Sequence, residues 1–334
     1  MSLILHKSFT AFQTQFHRRH GHLRDAHVRA LAWLLTAPNL FDPLAPRWHG
    51  AIADLEGMAD GMDVDAWLRV LDDDPSALHA LVDARPTARL GRYAEKLLAF
   101  YLEFHRRLFA TNLQVRAGAN ATIGEFDYLL HHTDADGAAL IHWEFATKFY
   151  LLESQRSTPE AECFVGPNLA DTLGAKMSKI MDRQLKLSHH PAAAAYLPLP
   201  VSHARALVKG WLFYRDAGVV LSPAMGVAND HCRGFWCNAE ELAADSEYGT
   251  ARYVILPRLQ WLAPTQLPTA STLTSARLRM ALAASFACDP APVLIAVMAP
   301  SADADGMMLE ASRGFIVPDN WRALAAERVT IGLR

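Results

Sequence analysis

Several things are missing from this 334-residue chain, and each absence removes a class of function. There is no G-x-x-x-x-G-K-[ST] or G-x-G-x-x-G run, so the usual backbone cradle for a nucleotide's phosphates is not indicated. No G-x-S-x-G elbow presents a serine nucleophile. Cysteine is scarce: Cys163, Cys232, Cys237 and Cys288 form no disulfide framework, and the expectation is reduced thiols in a cytoplasmic protein. No stretch approaches roughly 20 uninterrupted apolar residues, so no transmembrane helix and no membrane partner are expected. The opening MSLILHKSFTAFQTQF has too short an apolar run, interrupted by Lys7, for an export signal. Excess positive charge is also lacking. A net charge of −3 argues against a strong whole-protein field for nucleic acid, although a local basic patch can override it. Internal repeats and low-complexity segments are absent.

What is present centres on Gly124 to Leu151, GEFDYLLHHTDADGAALIHWEFATKFYL, which reads as two strands and a turn. Strand side chains alternate faces. Glu125 and Asp127 therefore share one face of the first strand. His142, Glu144, Ala146, Lys148 and Tyr150 share one face of the second, opposite a face of Ile141, Trp143, Phe145, Thr147, Phe149 and Leu151. One face is built for a core and the other holds ionisable groups. The link from His132 to Gly137 is rich in turn formers, so a hairpin is the simplest connection. It would gather carboxylates that repel one another unless a proton or a cation is shared. A divalent ion with oxygen ligands suits such a cluster.

The surroundings fit a mixed α/β chain. Residues 1–35 read as helical and basic, with His17-Arg18-Arg19-His20 either a solvated face or a phosphate-contacting surface. A Pro-rich stretch over 36–50 precedes a helix near 64–70. Asp72-Asp73-Asp74-Pro75 reads as a helix start, with Asp74 or Ser76 as N-cap, rather than a metal site. Residues 91–110 carry an apolar stripe at helical period with Glu95 at its border, and Asn112 to Arg116 reads as a strand. A further helix has Leu169, Leu173, Met177, Ile180 and Met181 on its stripe, with Lys176, Lys179, Arg183 and Lys186 off it as an exposed face or a backbone-phosphate rail. From about 204, strands and helices alternate, with Trp211, Trp236, Trp261 and Trp321 as core or interface residues. A zinc site at His231, Cys232 and Cys237, helped by His203, is a rival, on a single Cys-x₄-Cys pair.

The order of these features resembles the PD-(D/E)XK nuclease superfamily, with its restriction-endonuclease-like αβββαβ core. The phrases GRYAEKLLAFYLE, GEFD and HWEFATKFYL carry the likeness over roughly residues 90–190. Over its whole length the chain also resembles the uncharacterised bacterial domain-of-unknown-function 1853 family, through GEFDYLL, HWEFATKFYL and GPNLADTLGAKMSKIMDRQLKLS. The first resemblance implies an N-terminal helical region over 1–89, a nuclease-like core over 90–200 and a C-terminal α/β extension over 201–334. It implies Asp127, Glu144 and Glu95 as ligands of Mg²⁺ or Mn²⁺, with Glu125 and Gln184 in support. Lys176, Lys179, Arg183 and Lys186 would contact nucleic acid, DNA foremost. The superfamily's E-x-K spacing places its lysine where Ala146 stands; Lys148 lies on the same face about 6.6 Å further along. The implied activity is Mg²⁺-dependent phosphodiester hydrolysis with Lys148 as a displaced catalytic lysine. The alternatives are a nuclease fold that has lost cleavage and only binds nucleic acid or a protein, and a structural network pairing Lys148 with Glu144 or Asp127.

Overall fold

The computed structural model describes residues 11–55, 58, 61–117, 121–135, 137–154, 158–245 and 249–332. The first ten residues, and Asp136 of the hairpin turn, lie outside them. The chain opens with α1 (Ala11–His20), α2 (Ala26–Thr36), α3 (Val64–Asp73), α4 (Ser76–Asp83) and α5 (Leu90–Phe104). Then come β1 (Leu108–Ala117), β2 (Ala121–Asp134), β3 (Gly137–Leu152), β4 (Phe164–Val165), α6 (Leu173–Lys179) and β5 (Val201–Tyr214). The remainder is β6 (Cys232–Asn238), α7 (Ala239–Ala243), β7 (Arg252–Ile255), β8 (Gln266–Pro268), α8 (Ser275–Cys288), β9 (Val293–Pro300), β10 (Met307–Val317) and α9 (Trp321–Gly332).

The strands form one mixed sheet, ordered β1-β2-β3-β5-β6-β10-β9-β7, with β4 on β3 and β8 on β10. The first three pair antiparallel, whereas β3–β5, β5–β6 and β6–β10 are parallel. From α5 onward the order is thus helix, three antiparallel strands, helix, and a strand parallel to the third. The sheet continues without a break past residue 200, because β5 runs alongside β3 from Val201 to Phe213.

A parallel centre needs cover on both faces, and the alternation in β3 supplies it. Trp143, Phe145, Phe149 and Leu151 pack with residues of α2 and α5. Ala146, Tyr150 and Leu152, on the other side, belong to a second cluster with Leu173 and Met177 of α6, which runs on to Leu278 and Leu282 of α8. The ionisable face of β3 is therefore not an open surface but part of a second core, with Glu144 only 1% exposed. Trp211, Trp236, Trp261 and Trp321 are all buried, as their sequence context suggests.

Two boundaries differ from the sequence reading. The apolar stripe suggests a helix to residue 110, but α5 stops at Phe104: Arg106 takes a φ of 53° and turns the chain into β1 at Leu108. The basic helix starts at Leu173 rather than Leu169, which has a φ of 60°, and the Thr172 hydroxyl caps it through the Ala175 N–H. Asp74 accepts the Ser76 N–H at 3.2 Å, a local turn bond, while Asp72 accepts the backbone N–H groups of Arg24 and Asp25 and ties α3 to the start of α2. The basic run on α1 is split. His20 is buried, His17 meets the Glu310 carbonyl at 3.2 Å, and Arg19 pairs with Asp65 at 2.8 Å.

A buried ion pair fastens the far half of the sheet to its covering loop. Arg313 forks onto Glu310 at 2.6 and 2.8 Å, and it also donates to the carbonyls of Trp261 and, at 2.8 Å, Ala263. Both side chains are fully buried, so removing one strands the other's charge. Arg313→Met is expected to lower the unfolding free energy by about 3–5 kcal/mol in urea titrations. A loss below about 1 kcal/mol would mean that the pair is no more than a surface-strength contact.

Candidate active site

The hairpin ladder between β2 and β3 ends at Tyr128 opposite Trp143. Beyond that rung β2 leaves β3 and pairs with β1 alone. The Phe145 N–H is the peptide donor beside the fork, and the Asp127 side chain accepts it at 2.9 Å. This bond fixes the Asp127 carboxylate beside Glu144. The two carboxyl groups stand close enough for each to act on the other.

Burial pushes the Asp127 carboxyl up to about 7, with the Glu144 charge adding to the effect. Burial likewise raises Glu144 to about 7, and the Lys176 ammonium opposes the rise. Glu95 is raised to about 6 by burial and then by the charge of Asp127. These three acids sense one another, but Glu95 is turned to Arg92 at 2.9 Å. Arg92 also reaches Glu125 at 3.2 Å and the Asn112 side chain. Glu125 thus belongs to the Arg92 cluster, at the edge of the pair. Among the described residues, no three His, Cys, Asp or Glu side chains stand together as a metal-holding group.

Glu144 is gripped on both oxygens. His142 Nε2 lies 3.0 Å from Oε1, and Gln184 donates to Oε2. Burial lowers His142 to about 4, so the ring is neutral at pH 7 and its Nε2–H donates to the carboxylate. Its other nitrogen is buried without a partner among the described residues. The sequence places His142 on the ionisable face but not in the site; a histidine two residues before the acid, on the same strand face, is the signal it offers.

The basic helix contributes through a change of pitch. After α6 the chain makes a π turn over Ile180–Gln184, closed by the Leu185 N–H on the Ile180 carbonyl at 2.9 Å. In a regular helix, residues eight apart lie about 80° around the axis from each other. The extra residue of a π turn takes back about 100°, leaving Lys176 and Gln184 on nearly one line. Lys176 Nζ accordingly donates to Gln184 Oε1 at 3.3 Å, and the half-buried ammonium is felt by both Asp127 and Glu144. Lys179, Arg183 and Lys186 are exposed. The four cations therefore form no single rail: one points inward and three outward.

Lys148 is placed elsewhere. Its amine pairs with Asp171 at 3.5 Å and lies over the Tyr150 ring, so neither Glu144 nor Asp127 is its partner. The zinc rival also fails on geometry. Cys232 and Cys237 are an odd number apart on β6 and face opposite cores. The two ring nitrogens of His231 are bonded to the Tyr214 hydroxyl and the Ala228 carbonyl. His203 stacks edge-on with His132 instead.

A family model described as a domain of unknown function, DUF1853, matches residues 29–317, from α2 to the end of β10. The chain belongs to the DUF1853 family. No curated protein and no solved structure matches it. Every residue of the carboxylate site lies within the DUF1853 segment. No helix among the described residues is long and apolar enough to cross a membrane.

The raised carboxyls set a pH dependence. Asp127 and Glu144 hold protons more tightly folded than unfolded, so their contribution to stability is fully present below their ordinary values of 3.8 and 4.5 and is lost as pH rises through about 7. Asp127→Asn should remove much of that fall. Urea titrations at mildly acidic and mildly alkaline pH are expected to show the variant losing less stability than wild type, by on the order of 2 kcal/mol. Parallel pH profiles would mean that both carboxyls ionise freely in the folded chain.

Proposed function

We propose that this protein is a Mg²⁺-dependent phosphodiesterase acting on nucleic acid, with a PD-(D/E)XK-like core formed by α5, β1–β3, α6 and β5. One observation carries the reading: two carboxyl groups from diverging strands, Asp127 and Glu144, stand near enough to act on each other, with the Lys176 amine acting on both. The order and parallel sense of those elements support it. The donor set fits Mg²⁺, which takes one or two protein carboxylates and fills its other positions with water and substrate phosphate oxygens. Asp127 and Glu144 would hold the ion, and a cation there would favour the ionised forms that burial disfavours. Bound there, the ion supplies Lewis acidity and a water of lowered pKa.

The rest of the chemistry falls to the chain. His142 and Gln184 keep the Glu144 carboxylate in one orientation. Lys176, rather than Lys148, stands where positive charge can offset that of a phosphate approaching the pair. Glu95 and Glu125 both pair with Arg92, at the edge of the Asp127–Glu144 pair. The same grip on Glu144 supports a second reading, a nuclease-like fold that binds nucleic acid without cutting it, because both oxygens already accept hydrogen bonds.

Incubation of plasmid, single-stranded and branched DNA with Mg²⁺ or Mn²⁺ separates the two. Cleavage is expected from wild type, is expected to be abolished in Asp127→Ala and Glu144→Ala, and should drop about 10²-fold or more in Lys176→Met. Binding with no cleavage under either metal would select the second reading. Metal binding has its own readout. At mildly alkaline pH, Mg²⁺ should raise the melting temperature of wild type and leave that of Asp127→Asn unmoved; equal shifts would put the ion elsewhere.

A further inference from the structure

Past the fork, the edge of β3 facing away from β5 has no strand neighbour among the described residues until β4 rejoins it at Leu151. A cavity of about 690 Å³ opens along this gap. The strand edge from Thr147 to Tyr150 lines one side, the start of α5 another, and the loop from Gly166 to Asp171 a third. It holds three cations, Arg89, Lys148 and Arg258, against one acid, Asp171. That acid is already engaged by Lys148 and by the Tyr150 hydroxyl at 3.0 Å. Among the described residues, neither Arg89 nor Arg258 has a carboxylate partner, and both are exposed. Arg258 lies over the buried Trp261 ring, 5.0 Å from its centre. A guanidinium held flat against an indole offers its outer plane to another flat ring. The positive end of α5, which has no side-chain cap, opens onto the same space and adds to its preference for anions.

We infer that this cavity binds a phosphate-flanked nucleotide of a single strand, so that the chain acts on single-stranded regions or frayed ends rather than on intact duplex. The inference rests on the nuclease reading above and names its substrate. Phosphates lie against Arg89 and Lys148, and a base stacks on the Arg258 plane. A concavity of this size is within the range of sites for one small ligand. It admits a splayed base and excludes a rigid double helix, whose bases are already stacked and paired. Lys148 lies four residues along β3 from Glu144, about 13 Å on an extended strand. The nucleotide in the cavity is therefore a neighbour of the one at the carboxylate pair. This also accounts for a lysine two positions beyond the usual place: it holds the strand beside the reacting phosphate.

Fluorescence anisotropy on the full chain in EDTA, with a short labelled oligothymidylate and a blunt duplex of equal length, tests this without any cleavage. The single strand is expected to bind at least about tenfold tighter than the duplex. Arg89→Ala/Lys148→Ala should weaken it about tenfold and flatten the salt dependence by about 1.4 in log–log slope, two phosphate contacts' worth. Arg258→Ala should weaken it with little change in slope, and thermal melts of all variants check folding. Equal or tighter duplex binding, or a double variant that binds like wild type, overturns the inference. The nuclease reading fails separately. Single-strand binding as expected, with no cleavage under Mg²⁺ or Mn²⁺, leaves the cavity assigned and the activity refuted. Cleavage of duplex that the double variant leaves untouched does the reverse.

Discussion

The hydrogen bond from the Phe145 N–H to the Asp127 carboxylate is the hinge of this structure. A sheet can split only if the backbone groups at the split find other partners. Here an acid from the departing strand takes the peptide donor of the strand it leaves. That substitution fixes three things together. It ends the hairpin ladder after Trp143, it holds Asp127 against Glu144, and it opens the edge of β3 that follows.

The setting makes this arrangement costly for free charges and therefore informative. Glu144 lies on a strand with a packed core on each face, which resists ionisation of a lone carboxylate. The site offers partial remedies: two hydrogen-bond donors to Glu144 and one lysine at a distance. None of them fully discharges the pair, as the raised affinity of both carboxyls for protons records. Burial thus holds both carboxyls toward their protonated forms near neutral pH.

Much of this was legible in the sequence, and the reasons are local. The hairpin from Gly124 to Leu151 follows from strict alternation and a turn-rich link, and it emerged with its faces assigned. Asp127 and Glu144 followed from that hairpin, because a period of two decides which side chains meet across it. The burial of Trp211, Trp236, Trp261 and Trp321 followed from their place in an aromatic-rich mixed α/β region. What could not be read depends on distant segments or on irregular backbone. The ionisable face of β3 looked open because its cover, α6 and the π turn after it, comes from chain that follows the hairpin. Lys148 looked central because it shares a strand face with Glu144, yet Asp171, in a later loop, draws it away. Lys176 looked like one of four outward cations because helical spacing assumes a constant pitch. The positive φ values at Arg106 and Leu169 ended or delayed helices whose apolar stripes ran on regardless.

The π turn at Ile180–Gln184 carries a consequence for how such a site is inherited. Gln184 meets Glu144, and lines up with Lys176, because one residue more than the regular repeat lies between them. Side-chain identity alone does not specify the contact. Removing one residue between Ile180 and Arg183 would restore an ordinary helix and swing Gln184 about 100° away from the carboxylate, with every functional side chain still in the chain. The site is therefore encoded by a residue count as well as by residue types. In related chains, the length of the segment between the capping threonine and Leu185 would track the integrity of the site more faithfully than the presence of its glutamine.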